Sequence, residues 1–187
     1  MQIIKLQGMK RMERVTQLNS LYDMVERLQE KGKIANAFGS CETNFNNRSG
    51  NLIVDYDDPD GTVLTDFMEY IYTYYSEAKM VDWMETFYQI LSWQFQSMHE
   101  GVVTYYENFY GYSEYSVIVR TAEFLQENGY QEIYEQYHRG VVECDQYEYP
   151  TEMKSVVEEM DLWINEHTKE VWDFCVDILA KHKEDWL

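Results

Sequence analysis

The sequence predicts an all-α protein, a single compact helical domain, and three observations carry this prediction. Only two prolines and nine glycines occur in 187 residues, so few positions interrupt a helix. Apolar residues recur at three- and four-residue steps over most of the chain, which is the period of an amphipathic helix. Hydrophobic residues make up 45% of the chain and aromatic residues 16%, enough for a core without disulfides or a structural metal.

The residue pattern of the N-terminal third predicts one amphipathic helix followed by an irregular segment. Apolar residues of the segment 10–31 fall on one helical face, and Gly32 ends the pattern. Residues 33–61 are rich in Asn, Ser, Gly and Asp, but the run 51–56 contains β-forming residues, so we expect a short strand or hairpin there. The predicted organisation is an N-terminal amphipathic helix over 1–32, an irregular or short-strand insertion over 33–61, and an acidic helical domain over 62–187.

Helical spacing dominates from Thr62 to the C-terminus. The predicted helices cover residues 62–78, 80–99, 102–110, 114–128, 130–144, 151–165 and 167–186. Glycines separate several of them, at positions 101, 111, 129 and 140. The helix over 80–99 is apolar over an unusually wide arc, which predicts a central helix covered on several sides.

Net charge excludes several function classes. The chain has 15 Lys and Arg against 34 Asp and Glu, a net charge of −19, and its isoelectric point is about 4.4. Such a chain repels nucleic acid and anionic membranes, so we expect neither a broad nucleic-acid interface nor membrane binding, but cationic partners. Residues 1–50 hold eight basic and five acidic side chains, so the remaining residues carry a net −22.

Cysteine usage and hydropathy favour a cytoplasmic protein. The three cysteines are odd in number and lack C-x-x-C spacing, which argues against a disulfide framework and a cysteine zinc site. The first 15 residues lack the apolar stretch of a secretory leader, and no segment approaches about 18 uninterrupted apolar residues. We therefore expect a cytoplasmic location without a membrane span.

Acidic residues at helical spacing are the candidate partner-binding residues. Four of them, assigned to the last helix, fall within an arc of about 60°. The full set is Asp66, Glu69, Glu77, Glu123, Glu127, Glu132, Glu135, Glu166, Glu170, Asp173 and Asp177. Glu158, Glu159 and Asp161 form a further acidic cluster outside this set.

Rows of fixed negative charge can replace the phosphates of a nucleic-acid strand. Neighbouring like charges cost about 0.2–0.5 kcal/mol per pair, and solubility needs a net charge of only about 2–8, so the excess favours selection for a basic partner. A solvated face is the alternative interpretation, because Lys169 and Lys181 can pair with acids four residues along. The 17 tyrosines are expected mainly in the core, with an interface rich in tyrosine as the alternative.

The sequence gives little support for a catalytic or metal site. Glu135-x-x-His138 has the spacing used in di-iron bundles, but such sites need two of these motifs and two further carboxylates. The acidic turn 55–61 fails the calcium-loop register at both its first and its last ligand position. No nucleophile elbow or glycine-rich phosphate loop occurs. We predict no catalytic residue, metal or cofactor.

A short motif resembles one bacterial helical domain family. It consists of His99-Glu-Gly-Val-Val-Thr-Tyr-Tyr-Glu-Asn108 with the later residues Ala122, Phe124, Leu125 and Asn128-Gly129. This resembles the DNA-mimic-protein-like family over roughly residues 80–145, although His99, Glu100, Val102 and Thr104 depart from its pattern. The resemblance implies an acidic, all-helical protein that occupies the DNA-binding face of a transcription factor.

The expected function is that of an acidic, non-catalytic protein that blocks a basic nucleic-acid-binding protein. Its target would be a transcription factor or a phage-defence nuclease, the latter including an anti-CRISPR role. The alternatives are an immunity protein that neutralises a basic toxin nuclease, and a helical metal-dependent enzyme using Glu and His. The basic first helix has three alternative roles: a second docking surface, a local nucleic-acid contact or a homodimer interface.

Overall fold

The chain divides into two compact units. The computed structural model describes residues 64, 67, 68, 71, 80–109, 115–141, 151–182 and 185. One unit spans Glu77–Asp173, and the other combines Met1–Ser76 with Phe174–Leu187. The predicted strand near 51–56 and the predicted boundaries at 32 and 61 lie outside the described residues, so they stay predictions.

The described part of the chain is helical, which confirms the predicted all-α class. Its helices are α1 (Asp82–His99), α2 (Val102–Phe109), α3 (Tyr115–Glu127), α4 (Gln131–Arg139), α5 (Lys154–Glu166) and α6 (Thr168–Lys181). A short 3₁₀ turn, Thr151–Met153, precedes α5. None of the helices in these ranges is long and apolar enough to cross a membrane.

Most predicted helices agree with the observed ones within a few residues, and two differ. The helix predicted over 130–144 is too long, because α4 ends at Arg139 and Gly140 follows it. The helix predicted to reach residue 186 ends at Lys181. Of the helix predicted over 62–78, the described residues Leu64, Phe67, Met68 and Ile71 are all helical.

Helix α1 is the centre of the Glu77–Asp173 unit, as its wide apolar arc predicts. It packs against α2, α3 and α5. Phe87, Ile90, Leu91 and Trp93 along it are completely buried. In the other unit, Leu64, Phe67 and Ile71 are buried, as are Phe174, Cys175, Val176, Ile178 and Leu179 of α6.

Buried tyrosines hold α2 against α4. The Tyr106 hydroxyl donates a 2.7 Å hydrogen bond to the carbonyl oxygen of Tyr137. The Tyr105 hydroxyl donates to Gln89 Oε1 at 2.7 Å and lies 2.7 Å from the Tyr137 hydroxyl, which then donates to it. All three tyrosines are buried, so the interface interpretation is wrong for them and the core interpretation is confirmed. Burial raises the pKa of Tyr105 well above 10, and Tyr137 raises it further.

Two glycine turns connect these helices. Gly101, between α1 and α2, has φ +88°, and Gly129, between α3 and α4, has φ +77°. In each turn a backbone N–H bonds back to the carbonyl five residues earlier: Gly101 to Gln96, and Tyr130 to Leu125. This is the geometry of a helix that ends in a left-handed residue, which glycine adopts at little cost.

Candidate functional site

Acidic residues dominate the surface of the Glu77–Asp173 unit. Its described residues include 15 acidic and four basic side chains. All the acids except Glu85 and Asp161 are exposed. Two of the four bases lie in ion pairs, Arg120 with Glu85 and Arg139 with Glu159. The exposed carboxylates are therefore far too numerous to be matched one to one by the bases of these ranges.

The two less exposed acids have structural partners. Arg120 holds Glu85 through two parallel bonds, Nε to Oε2 at 2.9 Å and Nη2 to Oε1 at 2.7 Å, and so ties α3 to α1. Asp161 Oδ1 accepts from the Ser97 hydroxyl and the Val102 backbone N–H, each at 2.7 Å. Asp161 thus satisfies the first backbone N–H of α2, a helix that follows a glycine and so lacks a capping side chain at that position.

Helix α4 presents an acidic outer face. Ile133 and Tyr137 turn inward and are buried, while Glu132 and Glu135 lie on the opposite side and are exposed. Glu135 accepts a 2.8 Å hydrogen bond from the Gln131 side chain one turn earlier, which orders it along the helix.

Helix α5 presents a second acidic outer face. Val157, Met160 and Ile164 are buried on its inner side. Its outer side carries the exposed carboxylates Glu158, Glu159 and Glu166. Steps of three and four residues place neighbouring side chains of such a row about 5–6 Å apart.

The Arg139–Glu159 ion pair joins the two outer faces. Arg139 Nη2 of α4 contacts Glu159 Oε2 of α5 at 2.5 Å, and Arg139 Nη1 donates to Gln136 Oε1 at 3.0 Å. Arg139 lies on the same side of α4 as Glu132 and Glu135, so this contact brings the outer side of α5 next to theirs. We name Glu132, Glu135, Glu158, Glu159 and Glu166 the α4–α5 face; it holds five carboxylates and is bridged by one arginine.

The remaining predicted residues lie elsewhere. Glu123 and Glu127 are exposed on α3, on the side of that helix that carries Arg120. Glu170 and Asp173 are exposed in the Glu77–Asp173 unit, whereas Asp177 belongs to the other unit and is half-buried. Asp66, Glu69 and Glu77 lie outside the described residues.

The prediction of a single acidic row on the last helix is wrong. Glu166 is the last residue of α5, and α6 begins only at Thr168. His167, between them, has φ −115° and ψ 25°, and its ring stacks on Trp163 with centroids 4.5 Å apart. The sequence predicts this break, with helices over 151–165 and 167–186, but the predicted row groups Glu166 with the second helix instead of the first.

Three residues of this surface fall outside the predicted set. Glu158 and Glu159 form an acidic cluster in the sequence, but only the contact with Arg139 shows that they continue the row of α4. Leu162 lies on the same outer side of α5 and is 67% exposed. Its position opposite Met160 and Ile164 in the helical repeat is the sequence signal that identifies it as an outward residue.

The Glu135-x-x-His138 motif lies on the surface. Both side chains are exposed, and the His138 ring lies against Tyr134 with centroids 5.1 Å apart. Among the described residues, no group of three or more His, Cys, Asp or Glu side chains is arranged to hold a metal ion.

Comparison with known proteins adds no relative: no family model, no curated protein sequence and no solved structure matches this chain.

Proposed function

We propose that this protein binds and blocks a basic nucleic-acid-binding protein, using the α4–α5 face in place of the phosphates of a nucleic acid. The observation that carries the proposal is the ion pair between Arg139 and Glu159, which merges the acidic rows of two helices into one surface. A protein that grips nucleic acid presents lysines and arginines for phosphates, and these bind carboxylates through the same charge-assisted bonds.

The charge balance of the two helices supports competition with nucleic acid. Together α4 and α5 contain six acidic and two basic residues, and Asp161 alone among the acids turns toward the interior. A helix fixes the spacing of the Cβ atoms that carry these carboxylates, so binding has to order the side chains but not the backbone.

A capture experiment tests the proposal. The immobilised protein is incubated at low salt with a lysate of its source cells, and bound proteins are eluted with a salt gradient or with duplex DNA. We expect basic proteins that elute in both ways, because exposed charge pairs weaken steeply with salt and because DNA competes for the same partner surface. Partners that remain bound in molar salt and in excess duplex DNA would contradict the proposal.

Charge variants locate the surface. The quadruple variant Glu132→Gln, Glu135→Gln, Glu158→Gln and Glu166→Gln removes four charges from the α4–α5 face and keeps Glu159 with Arg139. The matched control, Asp82→Asn, Glu107→Gln, Glu123→Gln and Glu127→Gln, removes four exposed charges elsewhere in the same unit. We expect the first variant to lose the DNA-displaceable partner at least tenfold more than the control. Equal losses would assign the binding to net charge alone.

A further inference from the structure

We infer that Leu162 is an apolar anchor on the α5 side of the α4–α5 face, and that the partner carries an apolar recess bordered by lysines or arginines. This inference rests on the proposed function, because it concerns the same surface. It adds one requirement for the partner. The partner must present apolar area next to its basic side chains, which a partner that only pairs with carboxylates would not need.

Burial shows that the fold does not use Leu162. Its side chain is 67% exposed, whereas Met160 and Ile164, two residues to either side, are completely buried. Val81 and Met98 are the other large exposed apolar residues of the described ranges, and both are less exposed, at 49% and 50%. Apolar area that folding leaves in water is available to stabilise a complex.

Acidic and polar side chains surround Leu162 on the helix surface. Its neighbours three and four residues away on α5 are Glu158, Glu159, Asn165 and Glu166, and all four are exposed. An apolar residue inside a ring of charged residues matches the usual anatomy of an interface, where a buried contact is enclosed by a polar rim.

The ring determines which partner fits. A second copy of this chain would place carboxylates against carboxylates, and a neutral apolar surface would remove water from three glutamates without replacing their hydrogen bonds. A basic surface pairs with the glutamates while its recess takes the leucine. A nucleic-acid strand is excluded, since its phosphates would meet the glutamates.

Two peptides separate the leucine contact from the charge contact. One is a helical peptide with a stripe of leucines bordered by lysines on the same face, and the other has the same length and charge with glutamine in place of leucine. Fluorescence anisotropy at low salt gives the Kd of each. We expect the protein to bind the leucine-containing peptide about tenfold more tightly, a factor consistent with burial of one leucine.

Variants assign that preference to one residue. Leu162→Ala should remove most of the tenfold preference and leave the Kd of the glutamine peptide unchanged, whereas Val81→Ala should change neither Kd. Thermal unfolding of Leu162→Ala at the wild-type temperature shows that the fold is intact, and Leu162→Gln, which keeps the side-chain length, repeats the test. Equal binding of the two peptides by the wild type, or a preference that survives Leu162→Ala, overturns the anchor.

The outcome also separates this inference from the function on which it rests. Salt-sensitive binding of both peptides with equal Kd refutes the anchor and leaves the acidic face intact as a binding surface. If the protein binds neither peptide at low salt, the proposed function fails, and the anchor fails with it.

Discussion

The turns at Gly101 and Gly129 both end a helix, but their surroundings differ. Both glycines have a positive φ, and both follow a helix that ends with a hydrogen bond across five residues. A side chain at Gly129 would meet no atom within 4 Å, whereas a Cβ at Gly101 would lie 3.2 Å from Asp161 Oδ2. Gly129 is therefore required by its backbone conformation alone, and Gly101 by its backbone and its neighbour.

This difference shows that the acidic residues have two separate roles: some stabilise the fold, and others lie on the outer surface. Asp161 lies within one residue of Leu162 on α5, yet it faces inward and anchors the turn of another helix. The exposed glutamates of the same helix point outward, and one of them, Glu159, pairs with Arg139 of α4. The net charge therefore overestimates how many acids are available for binding. The direction of each side chain decides which acids belong to the binding surface.

Gly140 is a third case, because a neighbouring side chain, and not its own backbone conformation, requires a glycine at this position. Its φ is an ordinary −86°, but a Cβ there would lie 2.2 Å from the ring of the fully buried Tyr106. We expect Gly140→Ala to give the largest loss, about 3 kcal/mol, since the ring is packed and held by its bond to Tyr137. Urea unfolding followed by circular dichroism measures it.

The double variant Gly140→Ala with Tyr106→Leu is the control for that mechanism. The smaller side chain makes room for the Cβ, so the alanine should cost clearly less in this background than in the wild type. An equal cost in the two backgrounds would mean that the clash is not with Tyr106.

Asp161→Ala removes the side chain that distinguishes the surroundings of the Gly101 turn from those of the Gly129 turn. It leaves the Ser97 hydroxyl and the Val102 N–H without their acceptor, so we expect a loss of about 2–3 kcal/mol. Chemical denaturation measures the change. Asp161→Asn keeps one acceptor oxygen and should lose about half as much. Glu166→Ala, at an exposed position on the same helix, should lose less than about 0.5 kcal/mol. A similar loss for Glu166→Ala would contradict the assigned role of Asp161.

Alanine at the two turns tests the comparison directly. Gly129→Ala should cost about 1 kcal/mol, the penalty of a left-handed non-glycine residue. Gly101→Ala should cost about 2 kcal/mol, because the added Cβ also presses on Asp161. Differential scanning calorimetry of both variants gives the difference. In an Asp161→Ala background the two substitutions should cost the same, and a difference that persists there would point to another contact.

Alkaline pH reports on the buried tyrosines that join α2 to α4. Tyr105 on α2 has a raised pKa, so above about pH 10 the unfolded chain releases this proton while the folded chain keeps it. Stability therefore falls as pH rises, by up to about 1.4 kcal/mol per pH unit for this group. Urea unfolding between pH 9.5 and 11 should show a shallower fall for Tyr105→Phe. Parallel curves would contradict the raised pKa.

Sequence periodicity predicts much of this fold. The turns at Gly101 and Gly129 and the central position of α1 follow from local spacing, because each helix hides one face and glycine marks its end. The roles of Tyr105 and Tyr137 depend on contacts between residues 32 apart, which spacing alone does not reveal. The break at His167 is predicted to within one residue, and only the assignment of Glu166 to the last helix is wrong.

The candidate surface is less predictable than the fold. Periodicity correctly places Glu132 and Glu135 on an outer face, but it cannot show which helices lie side by side. The contact between Arg139 and Glu159 spans 20 residues and depends on how α4 packs on α5. Leu162 is missed for a related reason, since an apolar residue is assigned to the core unless the whole repeat of its helix is followed.

The bond from the Val102 amide to Asp161 also has a dynamic consequence. An amide that donates to a carboxylate of a distant helix exchanges its hydrogen with solvent only when that bond opens, by rotation of the carboxylate side chain or by movement of the helix. The exchange rate at Val102 therefore reports how often the contact between Asp161 and the start of α2 opens. A ligand held on the outer side of α5 should slow that rate without touching the amide itself.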